Sequence, residues 1–379
     1  MHNPRVGAIG GGQLARMMGD AAAAAGVEFS VLAESEGSSA HAFANTVGDY
    51  NQLAVVERFA ETVDVITFDH EHVPLDVLRA LEANSVSVQP PSKALAFAQN
   101  KLKMRQRLSA LNLPMPVWRE ITSAEDLGAF IASVGGVAIL KTPIGGYDGK
   151  GVRVVRSVAD AQDWLENIAS FGGSLLAEEK VDFVRELAQL SARSVGAEFA
   201  AWPLVETRQV EGVCSVVITP APNASAEILE RCEKIARAIA EDLGVTGVLA
   251  VEMFEARDGR ILINELAMRP HNSGHFSIEG AATSQFEQHL RAVAGLPLGP
   301  TNLAAGHAVM VNLLGTGDAN TFVEHFALAA ERHPAAHLHA YGKAARKGRK
   351  MGHVTVVADD LDFALSEANA AAAVLLQGN

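Results

Sequence analysis

Glu252 and Glu265 each close an apolar stretch, 248–252 and 261–265, and the turn residues Asp258 and Gly259 between them read as a hairpin. Two carboxylates facing each other across a hairpin repel at short range, which raises one pKa. A divalent cation removes the conflict. Magnesium commonly takes one or two carboxylates and completes its shell with nucleotide phosphates, and Asn264 adds a neutral oxygen. Arg269, Pro270, His271, Asn272, Ser273, Gly274 and His275 follow at once. A guanidinium, two imidazoles, an amide and a hydroxyl suit neither a core strand nor a core helix. Arg269 can hold a small oxyanion with two parallel bonds, and His271 can serve as acid, base or donor near neutral pH. Zinc fits poorly, because the nearby carboxylate is the one already placed on magnesium.

Two glycine-rich segments suit phosphate. Gly10, Gly11, Gly12, Gln13, Leu14 and Ala15 fit G-x-G-x-x-G/A, with Glu34 about twenty residues further on. Such a turn offers free N–H groups at a helix N-terminus. It suits a dinucleotide such as NAD, another phosphate ligand, or a plain structural turn. Gly145, Gly146, Tyr147, Asp148, Gly149, Lys150 and Gly151 form the second. This is not a Walker A loop, because Gly151 stands where a hydroxyl residue belongs. It reads as a flap over phosphates with Lys150 as a point charge, or as an ordinary hairpin. Lys141 ends the apolar strand before it, placed for a nucleotide phosphate or as a snorkelling strand end.

Four further groups carry chemistry. Glu178 and Glu179 follow a strand, and alternation sends them to opposite faces. The backbone there suits an adenine base, and the pair alone suits solvent. Lys343, Arg346, Lys347, Arg349 and Lys350 are five cations in a short run, fit for a phosphate or for solvent. Only Tyr341 interleaves them, so a nucleic-acid patch is disfavoured. Asp69 and Glu71 bracket His70 after a strand, as acceptors for a sugar or as loop charges. His70 and His72 alone are weak metal ligands.

These residues must be held by several elements. Strands at 6–9, 29–32 and 63–68 with a helix at 13–25 give a βαβ rhythm and a parallel sheet over the first 98 or so residues. Pro90 and Pro91 end that unit. Residues 92–111 read as one helix carrying Lys93, Lys101, Lys103, Arg105 and Arg107. Strands at 137–141 and 152–155 flank the second glycine loop, another lies at 175–178, and helices are expected at 227–243 and 284–294. A third unit over the last 75 or so residues holds strands at 308–313 and 354–357 and a helix at 362–376. The 379 residues carry 31 basic and 44 acidic side chains, a net charge of −13. An acidic chain is a poor nucleic-acid binder. Cys214 and Cys232 are too few for a disulfide scaffold and read as buried thiols in a reduced cytoplasm. The first residues lack the apolar core of a signal peptide, and no apolar run of about 18 residues predicts a membrane span.

The glycine turn, the flap after a lysine-ended strand and the late carboxylate pair together resemble the ATP-grasp fold. With RPHNSGH at 269–275 and SQFEQHLR at 284–291, nearly the whole chain resembles the 5-(carboxyamino)imidazole ribonucleotide synthase family. That resemblance implies a mixed α/β and α+β architecture. A Rossmann-like pre-ATP-grasp domain spans 1–98, an ATP-grasp domain 99–304 with its flap-bearing subdomain at 117–182, and a small β-rich domain 305–379. It implies that Lys101, Lys141, Gly146, Tyr147, Asp148, Gly149, Lys150, Gly151 and Val152 contact ATP phosphates. Glu178, Glu179, Lys180 and Val181 would read adenine, with Glu186 on the ribose and Gln209 and Asn264 beside the nucleotide. Glu252 and Glu265 match the magnesium ligands. Arg269, His271 and Asn272 match the site for bicarbonate and its phosphorylated form. Gly12, Gln13, Leu14, Glu71, Tyr147, Asp148, Lys343 and Arg349 would face 5-aminoimidazole ribonucleotide, with Asp148 and Lys150 at the chemistry. The family's usual proline is Met268 here, its flap ends in Val152, and its E-N-x-H segment reads Glu206, Thr207, Arg208, Gln209. The implied reaction is ATP-dependent carboxylation by a cytoplasmic homodimer in purine biosynthesis. A formate-using glycinamide ribonucleotide transformylase of the same fold and a non-catalytic nucleotide-binding regulator are the alternatives.

Overall fold

The computed structural model describes residues 3–146, 151–210, 212–315, 321–344 and 346–378. The N-terminal unit is a parallel sheet ordered Ala44–Val47, Glu28–Ala33, Arg5–Ile9, Val65–Phe68, with Gln13–Ala25 crossing between the first two strands in chain order. Val6, Ala8, Ile9 and Ile66 are buried, as parallel strands covered on both faces require. The chain turns to opposite sides of Arg5–Ile9, and the crevice at such a reversal lies at the strands' carboxyl ends. Gly10–Gly12 and Asp69 occupy that crevice. The strand Ala44–Val47 has no sequence signal of its own, being short and half exposed.

The helix expected over 92–111 is two helices, Ser92–Gln99 and Lys101–Ala110. Asn100 breaks it: its backbone is extended, and its side chain accepts the Lys103 N–H at 3.0 Å. Asparagine competes with the helix backbone in this way and is favoured as an N-cap. The break puts Lys101 in the first turn of a new helix. Arg105, four residues on, then shares its face, while Arg107 points away to Asp242 at 2.6 Å.

A four-stranded antiparallel sheet ordered Trp118–Ile121, Leu175–Glu179, Ala138–Lys141, Val152–Val155 carries the flap, with Lys141 opposite Val152. The third sheet is the spine. It runs Ile261–Ala267, Gly247–Ala256, Phe183–Arg193, Val205–Val210, Val213–Thr219, His307–Leu314, Lys350–Ala358, Ala336–Ala340, with Phe199–Ala201 on the side. The C-terminal strands expected as a separate unit therefore continue the central sheet, through Val213–Thr219 against His307–Leu314. The alanine-rich helix Leu361–Gln377 lies on one face, with Ala364, Ala368, Ala371 and Ala372 buried against it. Among the described residues no helix is long and apolar enough to cross a membrane.

His289 joins two sheets. It lies on Gln285–Val293, the helix of the SQFEQHLR motif, and is wholly buried. The Val248 N–H donates to its Nδ1 at 3.0 Å, so its proton sits on Nε2, 2.7 Å from Thr67 Oγ1 of the parallel sheet. Burial lowers its pKa to about 3. The unfolded imidazole titrates near about 6.5. The stabilisation from a neutral His289 is therefore complete above that pH and is lost as pH falls below it. Folding free energy should fall by about 1.4 kcal/mol per pH unit for this group below about pH 6. Denaturant unfolding over that range should show a slope shallower by about one proton in His289→Gln; an unchanged slope contradicts the assignment.

Candidate active site

The cleft lies between the flap sheet and the spine. Glu252 and Glu265 are direct register partners across their two strands, with a bulge just after Glu252. Burial, and then the Glu265 and Glu186 carboxylates, push Glu252 up to about 7 against the pull of Lys350 and Lys101. Burial alone lifts Glu186 to about 7. Among the described residues no group of three or more His, Cys, Asp or Glu is gathered for a metal. A cation here would rest on this carboxylate pair, the Asn264 oxygen and phosphate oxygens, a donor set that suits magnesium.

Three cations order the nucleotide side. Lys101 Nζ binds Glu265 Oε1. Lys141 Nζ sits 2.7 Å from Glu178 Oε2 and 3.2 Å from Asn264 Oδ1. Arg105, wholly buried, donates to Glu178 Oε1 at 2.5 Å and to the carbonyls of Ile263 and Asn264 at 2.9 and 2.7 Å. Burial would raise Glu178, yet Lys141 and Arg105 hold it down to about 2. Its side chain is therefore committed to these cations, which leaves backbone as its means of meeting a base. Glu179 points the other way, to Val117 N–H at 3.0 Å and Arg260 at 3.1 Å. Lys180 is exposed and Val181 half buried just beyond the strand end. Gln209 lies on Val205–Val210 opposite Cys214. Arg105 was legible only as one of five basic residues on a helix; its partners lie far along the chain.

The Arg269–His275 segment lines the far wall. Glu71 accepts the Met268 N–H at 2.7 Å and lies 3.7 Å from Arg269 Nη2, so it steers the guanidinium. Among the described residues Arg269 Nε is buried without a partner, and neither amide atom of Asn272 has one beyond weak contact with the Cys214 thiol. His271 accepts the Ser273 N–H at Nδ1 (3.4 Å), beside Ser273 Oγ at 2.8 Å. Its proton is therefore on Nε2, 3.4 Å from Glu252 Oε1. Burial first, then Arg269 and Lys350, lower its pKa to about 3. The acid, base or donor open in sequence thus narrows to a neutral donor. Cys214, expected buried, is only half buried, and burial of its thiol raises the pKa to about 12. It stands where its strand Val213–Thr219 begins, close to Asn272 and Glu252. Lys350, which sequence gave only as part of a basic run, reaches the cleft, its charge acting on Glu252 and His271.

The first glycine turn is already supplied with carboxylates. Gly11 N–H donates to Glu34 at 2.9 Å, and Gly12 and Ala15 N–H donate to Asp69 at 3.1 and 2.6 Å. A Cβ at Gly12 would meet Asp69 Oδ2 at 2.0 Å. The hydrogen bond from His70 and, against burial, the Gly11 N–H hold Glu34 down to about 2. These N–H groups already bind the chain's own carboxylates, which tells against a dinucleotide pyrophosphate at this turn. Gln13 Oε1 instead meets Lys343 Nζ of the C-terminal basic loop, and Leu14 is buried behind it. Arg349 folds that loop by donating to the Ala344 carbonyl at 3.1 Å. Gly146, Gly151 and Val152 flank the flap tip; Tyr147, Asp148, Gly149 and Lys150 lie outside the described residues.

Comparison with known proteins places the whole chain. Residues 106–286 match the ATP-grasp domain family, 3–99 the ribonucleotide synthetase preATP-grasp domain and 308–367 the phosphoribosylaminoimidazole carboxylase C-terminal domain. N5-carboxyaminoimidazole ribonucleotide synthase of Mycobacterium tuberculosis is 45% identical over 379 residues, covering 99% of this chain and 88% of the relative. The Corynebacterium ammoniagenes enzyme of that name is 42% identical, covering 98% and 92%. The crystal structure of N5-carboxyaminoimidazole synthase from Aspergillus clavatus with ADP and 5-aminoimidazole ribonucleotide superposes with a TM-score of 0.89 at 32% identity, covering 98% of each chain. The Thermus thermophilus synthetase gives 0.86 at 38%, again over 98% of each.

Removing the charge on Glu178 leaves two buried cations uncompensated. Glu178→Gln should lower stability by about 3–5 kcal/mol, while Glu179→Gln should change it by less than about 1 kcal/mol. Denaturant unfolding of both variants tests this; equal effects contradict it.

Proposed function

The chain belongs to the N5-carboxyaminoimidazole ribonucleotide synthase family of ATP-grasp enzymes, and from that membership we propose how its own residues carry the reaction. The enzyme is an ATP-dependent C–N ligase that carboxylates 5-aminoimidazole ribonucleotide to N5-carboxyaminoimidazole ribonucleotide in purine biosynthesis. The carboxyl source in this reading is bicarbonate. The observation that carries it is a set of buried polar groups on one wall: Arg269 Nε and both amide atoms of Asn272, without strong partners among the described residues, beside the Nε2–H of a neutral His271. Buried polar groups left unpaired call for a polar ligand. Bicarbonate matches the set: its oxygens accept from Arg269, His271 and the Asn272 Nδ2–H, and its one O–H can donate to Asn272 Oδ1.

A bicarbonate oxygen held there attacks the γ-phosphorus of ATP. The new P–O bond forms as the bond to the β-phosphate oxygen breaks, giving carboxyphosphate and ADP. The transition state needs positioning and charge more than covalent help. Lys101 and Lys141 bring positive charge to the nucleotide side, and Arg105 keeps Glu178 from cancelling it at their expense. Magnesium, held by Glu252 and Glu265 with Asn264 nearby, would neutralise the polyphosphate. Glu186, its carboxyl lifted to about 7 by burial, suits a ribose hydroxyl. Carboxyphosphate, or CO₂ released from it, then meets the exocyclic amine; the C–N bond forms as phosphate leaves. The family resemblance gives the amine's proton to Asp148, with Tyr147 and Lys150 beside it. Lys343, Gln13, Leu14, Gly12 and Arg349 take the ribonucleotide on the same reading. The chain works in the cytoplasm as a homodimer.

His271 stays uncharged for a reason. A second positive charge beside Arg269 is unfavourable in the cleft, and a neutral imidazole donates a hydrogen bond without a proton to lose. Turnover should therefore show no step from His271 between about pH 5 and 8. A step near about 6.5 that vanishes in His271→Asn contradicts the donor role. Arg269→Gln should reduce turnover on the order of 10²–10³-fold with the KM for ATP little changed.

The deciding assay is magnesium-dependent phosphate release from ATP and bicarbonate, with and without 5-aminoimidazole ribonucleotide. Release stimulated by the ribonucleotide, with the carboxylated product formed, is the expected result. Stimulation only by formate with glycinamide ribonucleotide would move the enzyme to the transformylase reaction.

A further inference from the structure

The SQFEQHLR motif lies outside the chemistry, yet its polar side chains are all committed. Gln288 exchanges two hydrogen bonds with the backbone of Gly299, both 2.8 Å. Arg291 pairs with Glu287 at 2.5 Å, and His289 ties two sheets. Gln285 is different, because it touches the Arg269–His275 segment. It is wholly buried. Its Oε1 accepts the His271 N–H at 2.8 Å. Its Nε2 donates to the His271 carbonyl at 2.8 Å and to His275 Nδ1 at 2.9 Å. Ser277 Oγ accepts its backbone N–H at 2.8 Å.

We propose that Gln285 is the positioning residue that fixes His271, and that it does so with the one side chain able to satisfy all three groups at once. A primary amide has one acceptor and two donor hydrogens, and here each is used. Its bonds to both the N–H and the C=O of His271 clamp that residue's peptide groups like a partner strand, which sets where the imidazole leaves the backbone. The third bond forces His275 to keep its proton on Nε2. The fit is close: a Cβ on Gly274 would lie 2.4 Å from Gln285 Oε1 and 2.2 Å from Leu190 Cδ2, so only glycine lets the segment close over the amide.

At a pH where it is ionised, glutamate at 285 keeps the size and the acceptor but loses both donors. His275 can answer by moving its proton to Nδ1. The His271 carbonyl cannot answer, and a buried carbonyl facing a carboxylate must move away. Displacement of a reacting group by about 1 Å can cost about 10²-fold in rate. Lys101 and Lys141 are held by Glu265, Glu178 and Asn264 and share no hydrogen bond with Gln285.

This inference rests on the reading of His271 as a donor to bicarbonate, so the test has one readout apart from activity. Long-range proton–nitrogen spectra of the histidine rings should show His275 protonated on Nε2 in the wild type and on Nδ1 in Gln285→Glu. In the same variant, kcat/KM for bicarbonate should fall roughly tenfold to a hundredfold, with the KM for ATP within about twofold. Wild-type efficiency toward bicarbonate in Gln285→Glu overturns the proposal. So does an equal loss toward ATP and bicarbonate that tracks a fall in melting temperature, the mark of a merely structural residue. If the variant does not fold, the wild-type spectrum decides: a proton on His275 Nδ1 overturns the proposal, because the amide then has no acceptor there. A wild type that is silent toward bicarbonate overturns the function and leaves the ring spectra to judge the amide's hold on the segment.

Discussion

One buried carboxylate between two cations organises the cleft. Glu178 sits on the flap sheet, Arg105 on the helix that follows the Asn100 break, and Lys141 on the strand that leads into the flap. Arg105 also binds the carbonyls of Ile263 and Asn264, on the strand that delivers Glu265. Four separate elements therefore meet at one charge cluster. Each charge is expensive to bury alone and tolerable only with the others in place. The cluster cannot be half formed, so it sets the flap sheet, the basic helix and the carboxylate hairpin in a single arrangement. Its geometry also leaves Lys141 between Glu178 and Asn264, facing the space where a polyphosphate would lie.

The second organising device is neutrality. His271, His275, His289 and His353 are all buried enough that burial lowers their pKa values far below the usual imidazole range. An uncharged imidazole has one donor and one acceptor, and the backbone or an amide chooses which nitrogen is which. His289 reads the choice from Val248, His271 from Ser273, and His275 from Gln285. Hydrogen-bond direction, rather than charge, thus passes from the scaffold to the cleft. Charge is reserved for Arg269 and the lysines, where an anion can use it.

Much of this was legible in the chain. The apolar closure of the strands ending in Glu252 and Glu265, with Asp258 and Gly259 between, fixes a hairpin and hence the facing carboxylates. The alternation of Glu178 and Glu179 gives their opposite faces. The helix expected over 92–111 is two helices because its periodicity continues across Asn100, and only the asparagine's own side chain stops it. The glycine turn was ambiguous because Asp69 and Glu34 reach its N–H groups from 57 and 23 residues away. A pattern of spacing records which donors a turn offers. It does not record which of the chain's own acceptors arrive first. For the same reason nothing in the SQFEQHLR spacing singles out Gln285, and Arg105 is one basic residue among five.

The continuous central sheet has a mechanical consequence. The strands that carry Glu252, Glu265 and the C-terminal basic loop belong to one hydrogen-bonded ladder from Ile261–Ala267 to Ala336–Ala340. Shearing one edge of that ladder against the other would break a row of backbone bonds. The four-stranded flap sheet shares no strand with it and is joined covalently only where the chain enters near 114–118 and leaves near 179–183. The spine is in effect an anvil, and the flap sheet is the jaw set against it. Tolerance for misplacement is correspondingly uneven. An insertion in the flap sheet is absorbed within that sheet, whereas one in the spine shifts the Glu252–Glu265 pair and the C-terminal basic loop together.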